Sequence, residues 1–357
     1  MTTKPIRVGG DFGNSQSTLA IPAGRGYRTL TIPSFLGRGS LGELQRMRRG
    51  GGHSALPDES TAHDGVLTVG GVEQFVGQLA LEQSPDASSA RGDVHRYWSG
   101  HTRKLLLALA GLAWDKIPPL YLTTGLPVAV WSAQRDEQVR RAFVGEHRFL
   151  LNGAERVLEV RGVFTMMEGA GALARLGTDD AIPQAVADGG GESFDLFYAI
   201  GQEPVIARCD GKHGIGVERI GELVAAEVAR KYDRALTPPE IRALLWAYAR
   251  TEQPPVIYAN RRPISLNGEL RAADDAVGSA VATFISQTWA SGATGAVAAE
   301  VAQLFLIGGI AYFPEVRAHV QRLVGNVAVS ERPADENAMG YGAVGQSLTD
   351  ADWAALS

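Results

Sequence analysis

Two copies of one strand–turn–strand pattern constrain the fold of this chain more than any other feature. The copies span residues 6–21 and 185–200, one at the start of the chain and one just past its middle. In each copy an aspartate, Asp11 or Asp188, stands where the first strand gives way to a glycine-containing turn. Such a repeat predicts a duplicated chain folded into two lobes.

The remaining pattern alternates strands with helices and predicts an α/β fold. The chain has 357 residues, which is enough for two domains of about 150 residues each. An Asn152-Gly153 pair between apolar runs predicts a hairpin, and leucines at helical spacing predict a helix over residues 101–114. A further helix is expected over residues 274–303. The composition of residues 33–62, rich in Gly, Ser, Arg and Pro, predicts a long loop.

Charge and cysteine content restrict the partners and the compartment. The net charge of −5 gives no general attraction to nucleic acid, so no direct nucleic-acid partner is expected. A single cysteine, Cys209, cannot form an internal disulfide, and no apolar signal segment follows Met1. The apolar runs are too short for a membrane span. These observations predict a cytoplasmic protein.

The two turns carry the chemistry that the sequence suggests. Backbone amides of small residues in such turns cradle phosphate oxygens. Asp11 and Asp188 offer hard oxygen ligands, which suit a magnesium ion that keeps most of its water. A single Asp-Gly turn between strands is usually only a hairpin device. Its repetition at corresponding places favours a phosphate and metal site.

Two further segments fit a nucleotide site. Glu168 follows a strand and precedes small residues, where a carboxylate can orient a water on a terminal phosphate. The alternative for Glu168 is an acid that favours a helix N-terminus. Gly308-Gly309 interrupts a buried strand, and such a break lets the backbone approach a ligand closely. A plain glycine-rich loop is the alternative there.

Six segments in register resemble one family. Together they are similar to the actin, MreB and Hsp70 nucleotidase superfamily, and within it to the ParM/StbA-type actin-like proteins. The resemblance covers essentially the whole chain. The segments that carry it are two phosphate motifs, a Gly-Leu-Pro segment, two connecting segments and an adenosine motif, at residues 10–14, 188–195, 123–128, 166–172, 337–342 and 306–309.

The resemblance implies an actin-like ATPase (ribonuclease H-like) fold, with two duplicated lobes around a nucleotide cleft. Lobe I would comprise residues 1–165 plus 335–357, with a small subdomain near residues 33–100, and lobe II residues 166–334. The implied activity is ATP hydrolysis by a protein that polymerises head to tail. The implied partners are further copies of the chain and, if plasmid DNA is the cargo, a DNA-binding adaptor protein.

The resemblance also assigns roles to residues. Asp11 and Asp188 would hold Mg2+ through water, and Glu168 would position the hydrolytic water. Glu218 and Glu222 would reach the ribose or base of ATP, with GTP as the alternative nucleotide. The remaining nucleotide contacts would come from small residues, namely Gly13, Asn14, Ser15, Gly190, Gly191 and Ser193 at the phosphates and Gly308 and Gly309 at the nucleoside.

Two positions depart from the family pattern. Many relatives carry a phosphate-binding lysine where this chain has Thr18, and a small or hydroxyl residue where it has Glu192. The loss of a cation and the gain of an anion weaken binding to a triphosphate unless another cation compensates. Slow hydrolysis or an altered nucleotide preference is the expected consequence.

Three other functions compete with this one. Residues 169–174 fit a dinucleotide-binding Gly-x-Gly-x-x-Ala fingerprint with Asp188 as its acid, although a parallel strand would have to follow. A small-molecule kinase of the same fold would need a further acidic base and a substrate pocket. A scaffold that binds nucleotide without hydrolysing it would assemble but show no turnover.

Overall fold

The structure is a computed structural model that describes residues 4–50, 64–93, 95–250, 255–259, 261–290 and 300–356. Its contacts divide the chain into two compact units. Unit 1 comprises Met1–Met167 and Asn337–Ser357, and unit 2 comprises Glu168–Glu336. The chain therefore crosses between the units twice, at residues 167–168 and at residues 336–337.

Unit 1 begins with the predicted strand–turn–strand element. Its elements, in chain order, are β1 (Ile6–Phe12), β2 (Gln16–Ala23), β3 (Gly26–Pro33), β4 (Leu36–Arg38), α1 (Leu41–Gly50), β5 (Asp64–Val69), β6 (Val72–Gly77), α2 (Gln78–Gln83), α3 (Gly100–Ala113), β7 (Leu120–Leu126), α4 (Ala133–Phe143), β8 (Gly145–Leu151) and β9 (Ala154–Met167).

The nine strands of the described part of unit 1 form one sheet in the order β3-β2-β1-β7-β9-β8-β5-β6-β4. β1, β7 and β9 are parallel to one another. Asn152 and Gly153 both have positive φ and close the β8–β9 hairpin, as the Asn-Gly signal predicts. The leucine stripe of α3 (Leu105, Leu106 and Leu109) is buried against this sheet.

Unit 2 contains the second strand–turn–strand element. Its elements are α5 (Ala170–Leu176), β10 (Pro183–Gly189), β11 (Ser193–Ile200), β12 (Glu203–Pro204), β13 (Asp210–His213), α6 (Val217–Tyr232), α7 (Pro238–Arg250), β14 (Val256–Ala259), β15 (Arg262–Ser265), α8 (Asn267–Trp289), β16 (Gln303–Ile307), α9 (Pro314–Val324) and β17 (Val327–Val329). Two last helices, α10 (Glu336–Ser347) and α11 (Asp350–Ala355), follow the second crossing.

The main sheet of unit 2 has the order β12-β11-β10-β16-β17, with β13 added on β11. One face of the β10–β11 pair carries Ala187, Leu196 and Tyr198 into a core shared with α6, α8 and α9. Because side chains alternate between faces along a strand, the opposite face presents Asp188 and Asp195. The same face also carries the buried side chains of Val186 and Phe197, so the two acidic residues lie at its edge, where β10 ends and β11 begins.

Close packing of α10 against β1 and β7 requires glycine at two positions of unit 1. A Cβ on Gly9 would lie 1.9 Å from the carbonyl oxygen of Ala338, and one on Gly125 would lie 1.8 Å from the hydroxyl of Tyr341. Only glycine permits this approach of β1 and β7 to α10. The second crossing segment is thereby fixed against the same strands whose ends carry the first motif.

Two sequence-based expectations are wrong in detail. Residues 36–50 contain β4 and α1 in place of a loop, because Leu36 and Leu44 are buried by β6 and its neighbours. Residues 51–62 of the predicted loop lie outside the described residues. The long helix expected over residues 274–303 starts earlier, at Asn267, and α8 ends at Trp289; residues 291–299 are outside the described part.

The dinucleotide-binding alternative is also wrong. In a dinucleotide-binding fold, the strand that follows the helix lies in the same sheet as the first strand and runs parallel to it. Here β9 belongs to the sheet of unit 1, and the next strand, β10, belongs to the sheet of unit 2, where it is antiparallel to β11. The glycines at residues 169–171 instead begin α5, which has only seven residues.

Candidate functional site

The first motif forms the β1–β2 hairpin. Asp11 pairs with Thr18 across it, and the turn between the strands contains Gly13, Asn14 and Ser15. A Cβ on Gly13 would lie 3.0 Å from the carbonyl oxygen of Gln16, so the turn is tight. Asn14 is buried, whereas Asp11 is only half-buried. The three turn residues thus follow the end of the strand that carries the aspartate.

Thr18 is the position at which the resemblance leads us to expect a lysine. It is buried, and its hydroxyl lies 2.9 Å from the hydroxyl of Thr31 on β3. Directly paired residues of an antiparallel hairpin point to the same face of the sheet, so Thr18 lies on the face of Asp11. β2 therefore places a neutral, hydrogen-bonded side chain on that face.

Glu168 comes directly after β9 and is buried. The next residue, Gly169, has φ 86°, and a Cβ on it would lie 2.8 Å from the Cβ of Phe197 and 3.3 Å from that of Val186. Val186 precedes Asp188 by two residues on β10, so both side chains point to the same face of that sheet. Glu168 is thereby brought to the face that carries Asp188.

The second motif forms the β10–β11 hairpin, in which Asp188 pairs with Asp195. Both carboxyl groups are buried, with 9% and 2% of the residue exposed. Asp195 has the register position that Thr18 has in the first hairpin. Asp195 is the last residue of the second phosphate motif, residues 188–195, and only the strand register shows that it lies opposite Asp188.

The double-glycine break adjoins Asp188. β16 runs parallel to β10 with Ile307 opposite Asp188, so Gly308 follows at the same sheet edge. Gly308 has φ 77°, and a Cβ there would lie 2.4 Å from the Asp188 Oδ1 atom and 2.4 Å from the Gly189 oxygen. A residue with a side chain would collide with the carboxylate. The structure therefore unites Asp188 and the Gly308-Gly309 segment.

The second turn also holds the start of α6. The amides of Val217 and Glu218 donate to the carbonyl oxygens of Gly190 and Gly191 at 3.0 and 2.8 Å. The amide of Gly190 donates in turn to the carbonyl of Ser193 at 3.0 Å. These bonds fix the conformation of the turn and satisfy two amides that a helix N-terminus leaves unpaired. Glu218 accordingly lies beside the turn.

Glu222 lies one helical turn further along α6 and is exposed. Its Oε2 atom forms an ion pair with the Nη1 atom of Arg219 at 3.0 Å. Glu192 is the second position that departs from the pattern implied by the resemblance. It is half-buried, and its backbone carbonyl accepts a hydrogen bond from the amide of Gly214 at 2.9 Å.

His213 is a further candidate site residue, which no sequence motif indicates. It ends β13 and pairs with Ser193, whose side chain shares a face with Asp195. The adjacent Lys212 points to the core face, where its Nζ atom lies 5.7 Å from the Phe284 ring centroid. Residues 210–213 have no strand pattern, so the pairing of β13 could not be predicted from sequence.

A cavity of about 580 Å³ opens in unit 2 beside Tyr312, three residues after Gly309. The guanidinium of Arg250 lies over the rings of Trp246 and Tyr312, at 3.8 and 5.3 Å from their centroids. Tyr312 ends the short helical turn that begins at Gly309. The residues that line the cavity are Ala249, Arg250, Tyr312, Glu331, Arg332 and Asp335.

The described residues contain neither a metal-binding cluster nor a helix suited to a membrane. Among those residues, no three or more His, Cys, Asp or Glu side chains cluster as a metal-binding group. Carboxylates that hold a hydrated magnesium ion through water need no such cluster. In the same part of the chain, none of the helices has the length and apolar character that crossing a membrane requires.

Comparison with known proteins identifies the fold. Residues 9–171 match the family of actin-like proteins, over its N-terminal domain. This match, together with the solved structures described next, confirms the predicted fold class. The comparison with curated proteins finds no significant match.

Solved structures agree on the fold. Ta0583, an archaeal actin homologue, superposes with a TM-score of 0.76 at 15% identity, covering 96% of this chain and all of that protein. ParM from a Clostridium botulinum filament gives a TM-score of 0.74 at 18% identity, covering 98% of this chain and 100% of its own. Bacillus thuringiensis ParM with AMPPNP gives 0.65 at 12% identity, covering 96% and 98%. The resemblance to ParM-type actin-like proteins is thus confirmed at the level of the fold.

Proposed function

We propose that the chain is a nucleotide-dependent, filament-forming ATPase of the ParM type. The observation that carries the proposal is the constellation in unit 2, where Asp188, the Gly190-Gly191 turn, Gly308 and the start of α6 are held together by short contacts. A carboxylate beside backbone amides and a glycine break is the arrangement that a magnesium–triphosphate complex needs.

The residues take the following roles in this proposal. Asp11 and Asp188 would hold a hydrated Mg2+ ion, which would neutralise phosphate charge. Asp195, opposite Asp188, adds a second buried carboxyl on the same face. Glu168 accepts a proton from the attacking water and orients it. The phosphates contact the turn residues Gly13, Asn14, Ser15, Gly190, Gly191 and Ser193, and the nucleoside contacts Gly308, Gly309 and Glu218.

The solved relatives support the choice of nucleotide and of assembly. Ta0583 has been solved with ADP and the Bacillus thuringiensis ParM with AMPPNP, and the Clostridium botulinum ParM forms a 15-stranded filament. We extend these properties to this chain, with ATP as the nucleotide, other copies as the partner, and the cytoplasm as the location. If the filament segregates plasmid DNA, an adaptor bridges the two, because the net charge of −5 disfavours direct binding.

One observation favours a second candidate, a scaffold that binds nucleotide without turnover. Thr18 supplies no cation beside Asp11, and its hydroxyl is committed to Thr31. A triphosphate transition state that lacks one cation is less stabilised. Filaments would then form when the nucleotide binds, and they would persist because the bound triphosphate is not hydrolysed.

Sedimentation with electron microscopy of the pellet, alongside phosphate release, tests the proposal. We expect pelleting that depends on ATP and magnesium, with phosphate released at a measurable rate. Pelleting without phosphate release supports the scaffold. A protein that stays monomeric with every nucleotide contradicts the filament, and if it also phosphorylates a small molecule it is a kinase. Asp188→Ala should abolish magnesium-dependent nucleotide binding, and unchanged affinity would contradict the site.

A further inference from the structure

Unit 2 contains a buried carboxylate that is not among the candidate site residues. Asp274 lies on α8, and its exposed fraction is 0%. Its Oδ2 atom accepts hydrogen bonds from the backbone amide of Glu315 and from the hydroxyl of Tyr248, both at 3.0 Å. Its Oδ1 atom accepts from the amide of Val316 at 3.1 Å. One carboxylate thus joins the three helices α7, α8 and α9.

The bonds from the two amides complete the start of α9. A helix leaves its first amides without partners inside the helix, and a polar side chain at the N-cap residue commonly accepts from one of them. The N-cap residue of α9 is Phe313, which makes no such bond and is buried in the core. Asp274 caps α9 in its place, from 41 positions before Glu315. Its charge also lies at the positive end of the helix dipole.

A distant cap restricts the position of a helix in a way that a local cap does not. A capping side chain at the N-cap moves with its own helix, whereas Asp274 can accept from α9 only when α9 begins at one place beside α8. Close packing has the same effect, because a Cβ on Gly278, one turn further along α8, would lie 3.0 Å from the Cα of Val316. The start of α9 is therefore fixed relative to α8.

The burial of this carboxylate carries an energetic cost. Burial raises the pKa of Asp274, against the hydrogen bonds from Glu315, Val316 and Tyr248. An ionised group inside a protein is unfavourable unless hydrogen bonds compensate for the lost water, and an apolar residue would fill the same space without that cost. A buried polar group of this kind can select one arrangement of the elements around it.

The arrangement selected here includes the double-glycine break. The short helical turn Gly309–Tyr312 ends directly at Phe313, the N-cap of α9. The amide of Phe313 donates to the carbonyl of Ile310 at 3.0 Å. Ile310 in turn packs against the second motif, because a Cβ on Gly189 would lie 2.0 Å from its Cγ2 atom. A shift of the start of α9 would therefore move this turn.

α7 contacts the same turn through two aromatic side chains. The ring centroids of Trp246 and Tyr312 are 6.0 Å apart, and those of Tyr248 and Phe313 are also 6.0 Å apart. The hydroxyl of Tyr248 donates to Asp274. The carboxylate therefore holds α7 as well as α9 beside the turn.

We propose that Asp274 is a positioning residue for the nucleoside part of the ligand. It holds the Gly309–Tyr312 turn, where the nucleoside binds in the proposed function, so the inference rests on that function. The other end of the segment has a separate anchor, because the amide of Gly308 donates to the carbonyl of Pro333 at 2.8 Å. Loss of the Asp274 carboxylate should therefore loosen the turn and leave Gly308 beside Asp188.

Calorimetric titration of Asp274→Asn with three ligands tests the proposal. Asparagine keeps the size of the side chain but replaces one oxygen by an amide nitrogen, which cannot accept from α9. The affinities for ATP with magnesium and for adenosine should each fall about tenfold. The affinity for inorganic tripolyphosphate with magnesium, which has no nucleoside, should change by less than about twofold. A loss of stability alone would not distinguish among these ligands.

Two tyrosine variants form a matched pair. Tyr248→Phe removes one hydrogen bond to Asp274 and keeps the carboxylate, and it should lower the affinity for adenosine about threefold. Tyr232 of α6 likewise donates to a carboxylate of α8, Oε1 of Glu269, at 3.1 Å. Tyr232→Phe should leave the affinity for adenosine unchanged. This pair decides the question if Asp274→Asn does not fold.

Three results would overturn the positioning role while the proposed function stands. They are an unchanged affinity of Asp274→Asn for adenosine, an equal loss of affinity for tripolyphosphate, and equal affinities of the two tyrosine variants for adenosine. If the unaltered protein binds no ATP, the proposed function itself fails, and Asp274 has no nucleoside to position.

Discussion

Arg175 and Glu336 form an ion pair between the two segments where the chain passes from one unit to the other. The Arg175 Nε atom lies 3.3 Å from Oε2 of Glu336. Arg175 is in α5, just after the first crossing, and Glu336 is the last residue of unit 2, at the second. The side chain of Glu336 is 1% exposed and that of Arg175 34%. The ion pair therefore links, within unit 2, the residues that follow the first crossing to the residue that precedes the second.

Removal of the cation should destabilise unit 2. Arg175→Ala leaves the Glu336 carboxylate buried without the positive charge of Arg175. We expect the free energy of unfolding to fall by about 1–3 kcal/mol. This loss is smaller than that for a fully buried ion pair because Arg175 is partly exposed. Burial raises the pKa of Glu336, against hydrogen bonding from Ser330 and the charge of Arg175. Chemical unfolding at several pH values measures the effect.

The sign of the pH dependence follows from that raised pKa. A carboxyl whose pKa is higher in the folded state favours folding most when it is protonated, and this contribution is lost as the pH rises through the folded-state pKa. The penalty of Arg175→Ala should therefore shrink toward acidic pH. Glu336→Gln added to Arg175→Ala should restore most of the stability at neutral pH, and no restoration would contradict the charge argument.

Substitution of Gly308 should affect binding as well as stability. Gly308 and Gly325 both have positive φ, at 77° and 84°, but a Cβ on Gly325 would meet nothing within 4 Å. Gly325→Ala should cost only the strain of the left-handed backbone, about 1–2 kcal/mol. Gly308→Ala adds a collision with Asp188 and should also abolish nucleotide binding. Calorimetric titration with ATP separates the two variants, and equal affinities would disprove the close approach.

Replacement of Glu168 should separate hydrolysis from binding. Glu168→Gln keeps the size of the side chain and removes the base, so phosphate release should fall by about 10²- to 10⁴-fold. Affinity for ATP and assembly into polymers should persist. Single-turnover phosphate release measures the change. An unaltered rate would show that Glu168 serves only as an acid near a helix N-terminus.

His213 should contribute to binding of the triphosphate. It lies on the face of Ser193 and Asp195, and His213→Ala should weaken ATP affinity about three- to tenfold by removal of a hydrogen-bond donor to a charged group. Lys212→Ala is the matched control, because Lys212 points to the other face, over Phe284. Adenosine, which has no phosphate, should bind both variants equally. Equal ATP affinity of the two variants would remove His213 from the site.

The sequence alone determined the duplicated pattern and most of its elements. Short sequence patterns were sufficient to predict elements whose geometry depends on neighbouring residues, as in the Asn152-Gly153 hairpin and the leucine stripe of α3. They also identified the Asp188 turn and the Gly308 break as separate candidates. The expected loop over residues 33–62 was wrong where burial of Leu36 and Leu44 overrides a turn-rich composition.

Tertiary structure alone decided which of these candidates meet. The close approach of Gly308 to Asp188 and the placement of Asp195 and His213 on the same face both depend on strand register between distant segments. Register across a sheet is fixed by packing of whole faces against a core, which a local pattern does not contain. For the same reason, the ion pair of Arg175 with Glu336 joins residues that no spacing in the sequence connects.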